Sequence, residues 1–224
     1  MIRGVLFDLD NTLVESVETI WRCADHVLRA EGLSGIDRRT AEKAMGLTIF
    51  DLFDLAEPNL TQAKKKKLFI EYKRCYADFM HYTVVLPNAK DAINYVKSCG
   101  LRIGLVTTKS RENTEKVLRA FGLREFFEAL VGFEDTVQHK PSSQPIVKAA
   151  SLLGLRPGEF AVVGDTEMDA IAGRGAGAVT IIVTTGVTPR EKIIQAKPDF
   201  IIEGLGDLPK IVEELCRQEG DKKV

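Results

Sequence analysis

Val5-Leu6-Phe7-Asp8-Leu9-Asp10-Asn11-Thr12 is the stretch that decides the fold we expect for this chain. Three consecutive apolar residues predict a short strand that is covered on both faces, as the strands of a parallel sheet are. Two carboxylates then follow, one residue apart. Side chains two positions apart on an extended chain share a face, so Asp8 and Asp10 are predicted to point the same way.

This carboxylate pair is the first sign of function. Two close carboxylates repel each other, and removing them from water strengthens the repulsion. A divalent cation relieves both effects, and oxygen ligands suit Mg²⁺. The end of the first strand of an open α/β sheet is also where such sheets bind ligands. The alternative is a polar turn that happens to carry two aspartates.

Composition excludes several classes of function. The chain has 224 residues, of which 45% are apolar and 28% are charged, and its formal net charge is -1. This balance is that of a globular protein and predicts no broad attraction to nucleic acid or to an anionic membrane. The first apolar run ends at Phe7, too early for a signal peptide, and no stretch is apolar enough to span a bilayer. Four widely spaced cysteines without a Cys-x-x-Cys pair argue against zinc and predict a reduced, cytoplasmic protein.

The predicted secondary structure changes in character twice along the chain. Apolar residues at three- and four-residue spacing predict only helices in residues 17–83. From Val84 onward, helices alternate with strands, which are predicted at Leu101–Val106, Ala129–Val131, Phe160–Val163, Val179–Val183 and Phe200–Ile202. This alternation predicts a doubly wound, Rossmann-like parallel sheet in an α/β protein. We therefore expect a core of residues 1–14 and 85–224, interrupted by an all-helical domain of residues 15–84.

Four polar sites are expected to meet at one edge of this sheet, because the carboxyl ends of parallel strands lie together. They are Asp8/Asp10/Thr12, Thr107-Thr108-Lys109, Lys140-Pro141, and Gly164-Asp165 with Asp169 one helical turn further on. Together they offer carboxylates, hydroxyls and a lysine, which suits a tetrahedral oxyanion beside a divalent cation, as in phosphoryl transfer. Each site alone also fits a turn residue, a helix cap or an exposed lysine.

In this order, the four sites resemble the motifs of the haloacid dehalogenase-like hydrolase superfamily along nearly the whole chain. The helical insert looks like the small cap of the phosphoglycolate phosphatase-like branch, and residues 165–177 are similar to that branch as well. Asn11 stands where the family commonly has glycine, which is tolerable because asparagine accepts unusual turn angles. The run Lys140-Pro141-Ser142-Ser143-Gln144-Pro145 lacks the family's middle proline.

The resemblance implies a role for each motif residue. Asp8 would be the nucleophile that forms an aspartyl-phosphate, and Asp10 the acid and base. Mg²⁺ would be held by Asp8, by the backbone carbonyl of Asp10 and by Asp165, with Thr12 and Asp169 just outside the ligands. Thr107 and Lys140 would hold the phosphoryl oxygens, with Thr108 beside them, and Lys140 would also neutralise Asp8. The family's carbon–halogen hydrolases lack the acid at the position of Asp10.

The expected function is therefore a magnesium-dependent phosphatase for a small phosphorylated metabolite, acting as a monomer or homodimer. Phosphoglycolate is the leading substrate by resemblance. Pyrophosphate, a sugar phosphate, a nucleoside monophosphate and a phosphomutase reaction are alternatives on the same core, and a phospho-aspartate signalling switch is the non-enzyme alternative. Selectivity is expected from the helical cap, with Gly46-Leu47-Thr48 as the contacting loop. His139, next to Lys140, is expected at the surface, and the alternative is that it lines the site.

Overall fold

A six-stranded parallel sheet forms the centre of the computed structural model, which describes residues 1–217. The strand order is β5-β4-β1-β6-β7-β8. These strands are β1 (Gly4–Phe7), β4 (Arg102–Val106), β5 (Ala129–Val131), β6 (Phe160–Gly164), β7 (Val179–Val183) and β8 (Phe200–Ile202). The predicted α/β fold with a doubly wound parallel sheet and inserted helices is confirmed.

Helices cover both faces of the sheet. Val5 and Phe7 belong to one apolar cluster, together with α5 (Ala89–Ser98), α6 (Arg111–Ala120) and α10 (Leu208–Arg217). Leu6 faces the other way, toward α7 (Gln144–Leu152) and α8 (Glu167–Gly175). The short α9 (Arg190–Gln195) packs beside α8. Because β1 lies between β4 and β6, its four residues are all buried, as the apolar run predicts.

The strand register brings the polar sites level with one another. Phe7 pairs with Leu105 of β4 on one side and with Val163 of β6 on the other. The residues that follow these three strands therefore emerge at the same edge of the sheet. This is the edge at which the sequence predicts the functional site.

The insert between β1 and the rest of the sheet is helical throughout. It consists of α1 (Val17–Ala30), α2 (Arg38–Lys43), α3 (Ile49–Ala56), α4 (Gln62–Phe79) and a 3₁₀ turn at Met80–Tyr82. Asp37 and Thr61 cap α2 and α4, because their side chains accept hydrogen bonds from Thr40 N and Lys64 N. No helix within residues 1–217 combines the length and the apolar character needed to cross a membrane.

Both ends of the insert leave the core through a two-stranded antiparallel ribbon. Val14 of β2 (Val14–Glu15) pairs with Val85 of β3 (Val84–Val85). The sequence did not predict this ribbon, since a strand of two residues has no periodicity to read. The ribbon holds the entry and exit of the insert side by side.

The insert lies against the core with a continuous apolar contact. One cluster of buried side chains runs from Phe7 in the sheet to Leu52, Phe53 and Leu68 in the insert. At the margin, Phe50 of α3 stacks on Phe133 of the core, with ring centroids 5.4 Å apart. Phe133 in turn stacks on His139 at 4.4 Å. His139 is therefore half-buried against Phe133 rather than fully exposed at the surface.

Candidate active site

Three of the four predicted motifs begin directly at strand ends. Asp8 follows β1, and its backbone N–H donates to Val163 O at 2.8 Å. Thr107 follows β4 and donates its N–H to Val131 O at 2.9 Å. Asp165 follows β6. The turn after Asp10 needs a left-handed residue, and Asn11 supplies it with a φ of 58°, as expected for a replacement of glycine.

Lys140 ties the motifs together. Its Nζ lies 2.6 Å from Asp8 Oδ1 and 2.6 Å from Asp169 Oδ1, although these residues are 132 and 29 positions away in sequence. Its side chain is only 4% exposed. The alternative of a solvent-exposed lysine is therefore excluded by the geometry.

The pKa values of the buried groups Asp8, Asp165 and Lys140 depend on burial and on one another's charges. It raises the pKa of Asp8 to about 7, against the opposing effect of Lys140 and with support from the negative charges of Asp169 and Asp10. The pKa of Asp165 is raised for the same reason, by burial first and then by repulsion from Asp8. Burial opposes the charge of Lys140, but the carboxylates of Asp169 and Asp8 outweigh it and raise its pKa. A buried site with this excess of carboxyl groups favours a further cation.

Asp169 also organises the start of α8. Its Oδ2 accepts hydrogen bonds from Thr166 N at 3.1 Å and Thr166 Oγ1 at 2.7 Å. Its backbone N–H donates to Thr166 Oγ1 at 3.3 Å, which completes a capping box. Its Oδ1 remains for Lys140. A Cβ on Gly164 would lie 2.2 Å from Asp169 Cγ, so this close approach needs glycine. The capping interaction thus fixes the carboxylate that positions Lys140.

Asp165 has the features of a cation ligand. Its Oδ1 accepts a hydrogen bond from Thr12 Oγ1 at 3.2 Å, whereas its buried Oδ2 has no hydrogen-bond partner among the described residues. Gly186 leaves room beside that oxygen, since a Cβ there would lie 2.0 Å from it. Residues 1–217 contain no cage of three or more acidic, histidine or cysteine side chains around one point. Mg²⁺ needs no such cage, because it is commonly bound by one or two carboxylates together with water and substrate phosphate. The donor set therefore fits Mg²⁺.

Lys109 is a site residue whose contacts the sequence did not reveal. Its Nζ forms an ion pair with Asp10 Oδ1 at 3.2 Å and donates a hydrogen bond to Tyr76 Oη at 2.8 Å. Asp10 and Tyr76 raise the pKa of Lys109 against the opposing effect of burial. The available signal was its place next to two threonines at a strand end, whereas nothing in the sequence distinguished Tyr76 within the helical region of residues 17–83.

A cavity lies between the carboxylates and the insert, and its volume is about 50 Å³. Asp8, Asp10, Thr108 and Lys109 line it from the core. The insert contributes the predicted loop Gly46-Leu47-Thr48 and several apolar side chains: Ile20, Ala44, Met45, Ile49, Leu52, Phe69 and Tyr72. The insert loop approaches the core closely, because a Cβ on Gly46 would lie 2.9 Å from Thr166 Cγ2. The cavity therefore joins the catalytic candidates to the region from which selectivity is expected.

Comparison with known proteins extends over nearly the whole chain. The family model described as "Haloacid dehalogenase-like hydrolase" matches residues 5–183. Pyrophosphatase PpaX of Bacillus pumilus is 32% identical over 213 residues, covering 94% of this chain and 96% of that protein. Pyrophosphatase PpaX of Bacillus cereus (strain AH820) is 30% identical over 219 residues, covering 96% and 99%.

Solved structures agree with the sequence relatives. A putative haloacid dehalogenase-like hydrolase from Bacteroides fragilis is 28% identical, with a TM-score of 0.85 over 93% of this chain and 100% of the other. A predicted phosphoglycolate phosphatase from Haemophilus somnus is 25% identical, with a TM-score of 0.82 over 94% and 98%. The sequence relatives and the solved structures therefore indicate the same family.

Proposed function

This chain belongs to the haloacid dehalogenase-like hydrolase family, and from that premise we propose that it is a magnesium-dependent phosphatase acting through an aspartyl-phosphate on Asp8. Family membership confirms the predicted resemblance and the expectation of an enzyme that hydrolyses phosphoric esters. The observation that carries the finer proposal is Lys140, whose Nζ lies 2.6 Å from Asp8 Oδ1 in a buried site. Beside it lies the Asp165 oxygen that has no hydrogen-bond partner within residues 1–217.

In the first step that we propose, a carboxylate oxygen of Asp8 attacks phosphorus. A bond from Asp8 to phosphorus forms while the bond from phosphorus to the leaving oxygen breaks, and Asp10 gives that oxygen a proton. In the second step, Asp10 takes a proton from a water molecule that attacks the same phosphorus and releases phosphate and Asp8. Dividing hydrolysis in this way requires a carboxylate nucleophile with a separate acid and base nearby.

The remaining motif residues bind and orient the phosphoryl group in this proposal. Lys140 holds Asp8 in place and offsets the charge that develops on the transferred group. Thr107 and Thr108 supply hydroxyl and backbone donors to its oxygens. Asp8, the Asp10 carbonyl and Asp165 would hold Mg²⁺, supported by Thr12 and Asp169. The chemistry that Mg²⁺ supplies when bound is positive charge against the phosphoryl oxygens.

We propose a small phosphorylated metabolite as the substrate, in keeping with a cavity that lies between the carboxylates and the insert. Phosphoglycolate is favoured by the branch that the sequence resembles. Pyrophosphate stands beside it, because curated relatives of 30% and 32% identity are named pyrophosphatases. Sugar phosphates, nucleoside monophosphates and a phosphomutase reaction use the same core chemistry and belong to the same test.

We also propose that residues 15–84 act as a cap that opens and closes on the ribbon of β2 and β3. The support is that both connections of the insert lie side by side in that ribbon, while the insert forms one wall of the cavity. Closure excludes water and strengthens the electrostatic interactions around the phosphoryl group. The free cysteines are in keeping with a cytoplasmic enzyme, and we propose that location for it.

The test is a screen of phosphoglycolate, pyrophosphate, sugar phosphates and nucleoside monophosphates with Mg²⁺, in which released phosphate is measured. We expect at least one compound to reach a kcat/KM of about 10⁴ M⁻¹s⁻¹ or more, the lower end for ordinary enzymes. Asp8→Asn is the control and should abolish turnover. A phosphomutase would return an isomeric phosphate ester instead, and a signalling switch would hold phosphate without turnover. Absence of any turnover that depends on Asp8 would refute the proposal.

A further inference from the structure

We propose that Lys109 is a positioning residue for Asp10, and that Tyr76 completes its site only when the helical insert lies on the core. This inference rests on the proposed function, because it concerns the residue assigned there as acid and base. It adds a link between the position of the insert and the alignment of the reacting carboxyl group. Lys109 belongs to the second of the four polar sites, but the sequence assigned it no role, and Tyr76 lies outside all four.

The contacts of Lys109 restrict the position of its ammonium group. Its side chain is 4% exposed, so water cannot solvate the ammonium group freely. Its Nζ lies 3.2 Å from Asp10 Oδ1, 2.8 Å from Tyr76 Oη and 4.5 Å from the centroid of the Tyr76 ring. A buried ammonium depends strongly on such partners. The position of its charge is therefore set jointly by the core carboxylate and the insert phenol.

Asp10 is anchored through one of its two oxygens. Ser16 Oγ donates to Asp10 Oδ1 at 2.5 Å, and Lys109 forms its ion pair with this same oxygen. Among residues 1–217, no hydrogen bond is made to Asp10 Oδ2. The arrangement holds the carboxyl plane from one side and leaves Oδ2 to reach the leaving oxygen or a water molecule. Such orientation is a large part of what a catalytic acid or base needs.

Tyr76 brings the insert into this arrangement. It lies on α4, whereas Lys109 follows β4 of the core, so their hydrogen bond crosses from the insert to the core. Tyr76 is completely buried, and its ring packs on Tyr72 with centroids 5.6 Å apart. Movement of α4 away from the core would separate the phenol from Lys109. The alignment of Asp10 is thus coupled to docking of the insert.

Two phosphate compounds of similar size distinguish positioning from a merely structural role. Ethyl phosphate releases an alkoxide that must be protonated, whereas acetyl phosphate releases acetate, which needs no proton. The value of kcat/KM reports the steps up to loss of the leaving group. If Lys109 positions Asp10, Lys109→Met should lower kcat/KM for ethyl phosphate by about 10²-fold, the scale of a misplaced catalytic group, and that for acetyl phosphate several-fold at most.

A structural role predicts a different pattern. If Lys109 only fastens the insert to the core, both compounds should lose activity by the same factor, and this result would overturn the inference. Lys90→Met, an exposed lysine on α5, is the matched control and should leave both values unchanged. If the wild-type enzyme turned over neither compound, the phosphatase proposal itself would be contradicted. Failure of that proposal is therefore distinguishable from failure of the positioning inference.

Tyr76→Phe is the second variant and covers the case in which Lys109→Met does not fold. It keeps the buried ring and deletes only the hydroxyl that Lys109 contacts. We expect the same bias, with a loss for ethyl phosphate at least about three times that for acetyl phosphate. Tyr82→Phe in the 3₁₀ turn is its control. Equal losses for the two compounds in Tyr76→Phe would contradict the role assigned to the hydroxyl.

Discussion

Replacing Lys140 by methionine should destabilise the protein strongly at neutral pH. The substitution keeps most of the aliphatic stem but removes an ammonium group that makes two hydrogen bonds of 2.6 Å to Asp8 and Asp169. Removing one partner of a buried ion pair costs about 3–5 kcal/mol, because the remaining charge is left uncompensated. We expect the free energy of unfolding of the metal-free protein to fall by about that amount at pH 7.5.

The loss should be smaller in mild acid. The pKa of Asp8 is about 7 in the folded protein and 3.8 in its ordinary state, so the folded state binds this proton more tightly. This carboxyl group therefore lowers stability progressively as pH rises from about 4 to about 7. Without Lys140 the pKa of Asp8 rises further, and the decline continues above pH 7. At pH 5.5 the protonated carboxyl groups should restore part of the stability that the variant lacks.

Urea unfolding in EDTA at pH 5.5 and pH 7.5 measures both effects, with Lys90→Met as the control for loss of a lysine. The same variant should lower kcat by about 10²-fold or more, the scale of losing one preorganised donor. The reasoning is refuted if Lys140→Met unfolds within about 0.5 kcal/mol of the wild type at pH 7.5, since that is the effect of an ordinary surface substitution.

Three further predictions concern the metal, the sheet edge and the insert. EDTA should stop turnover and added Mg²⁺ should restore it. Mg²⁺ should also raise the melting temperature of the wild type more than that of Asp165→Asn. Equal shifts in melting temperature would exclude Asp165 as a ligand. Gly164→Ala should lower the free energy of unfolding by about 1–3 kcal/mol in urea titrations, because its methyl group would collide with Asp169, and an unchanged value would contradict this contact. Replacing residues 17–83 by a short Gly/Ser linker should leave a folded core that hydrolyses an aryl phosphate slowly. This core should lose most of the preference among natural substrates. If it kept the wild-type order of substrate preference, selectivity would reside in the core.

The sheet could be predicted from the sequence because each strand is a compact apolar run. The stretch from Val5 to Phe7 is apolar at every position, as expected for a strand covered on both faces. The ribbon of β2 and β3 gave no such signal, since its strands have two residues each. Helix α9 gave no clear signal for a similar reason, because six residues after Pro189 are too few to establish a periodicity.

The sequence could predict which residues of the site follow strand ends, but it could not predict their contacts. The apolar strands and the residues that follow them place Asp8, Thr107 and Asp165 at one edge. The contacts of Lys109 depend on how the insert packs, because Tyr76 lies 33 residues away on helix α4 of the insert. The half-burial of His139 could not be predicted for the same reason: the stack with Phe133 forms only in the folded protein. Sequence pattern thus located the motifs, and tertiary packing determined their partners.

The central claim is that Asp8 carries the phosphoryl group, and the most direct measurement is to locate that group by mass spectrometry. Asp10→Asn should be incubated with acetyl phosphate and Mg²⁺ and then quenched in acid. Acetate needs no proton to leave, so the first step should proceed, while the missing base should slow hydrolysis of the intermediate. We predict one phosphoryl group per chain, located on Asp8 and absent from the Asp8→Asn protein. A phosphoryl group on another residue, or full turnover by Asp8→Asn, would contradict the account.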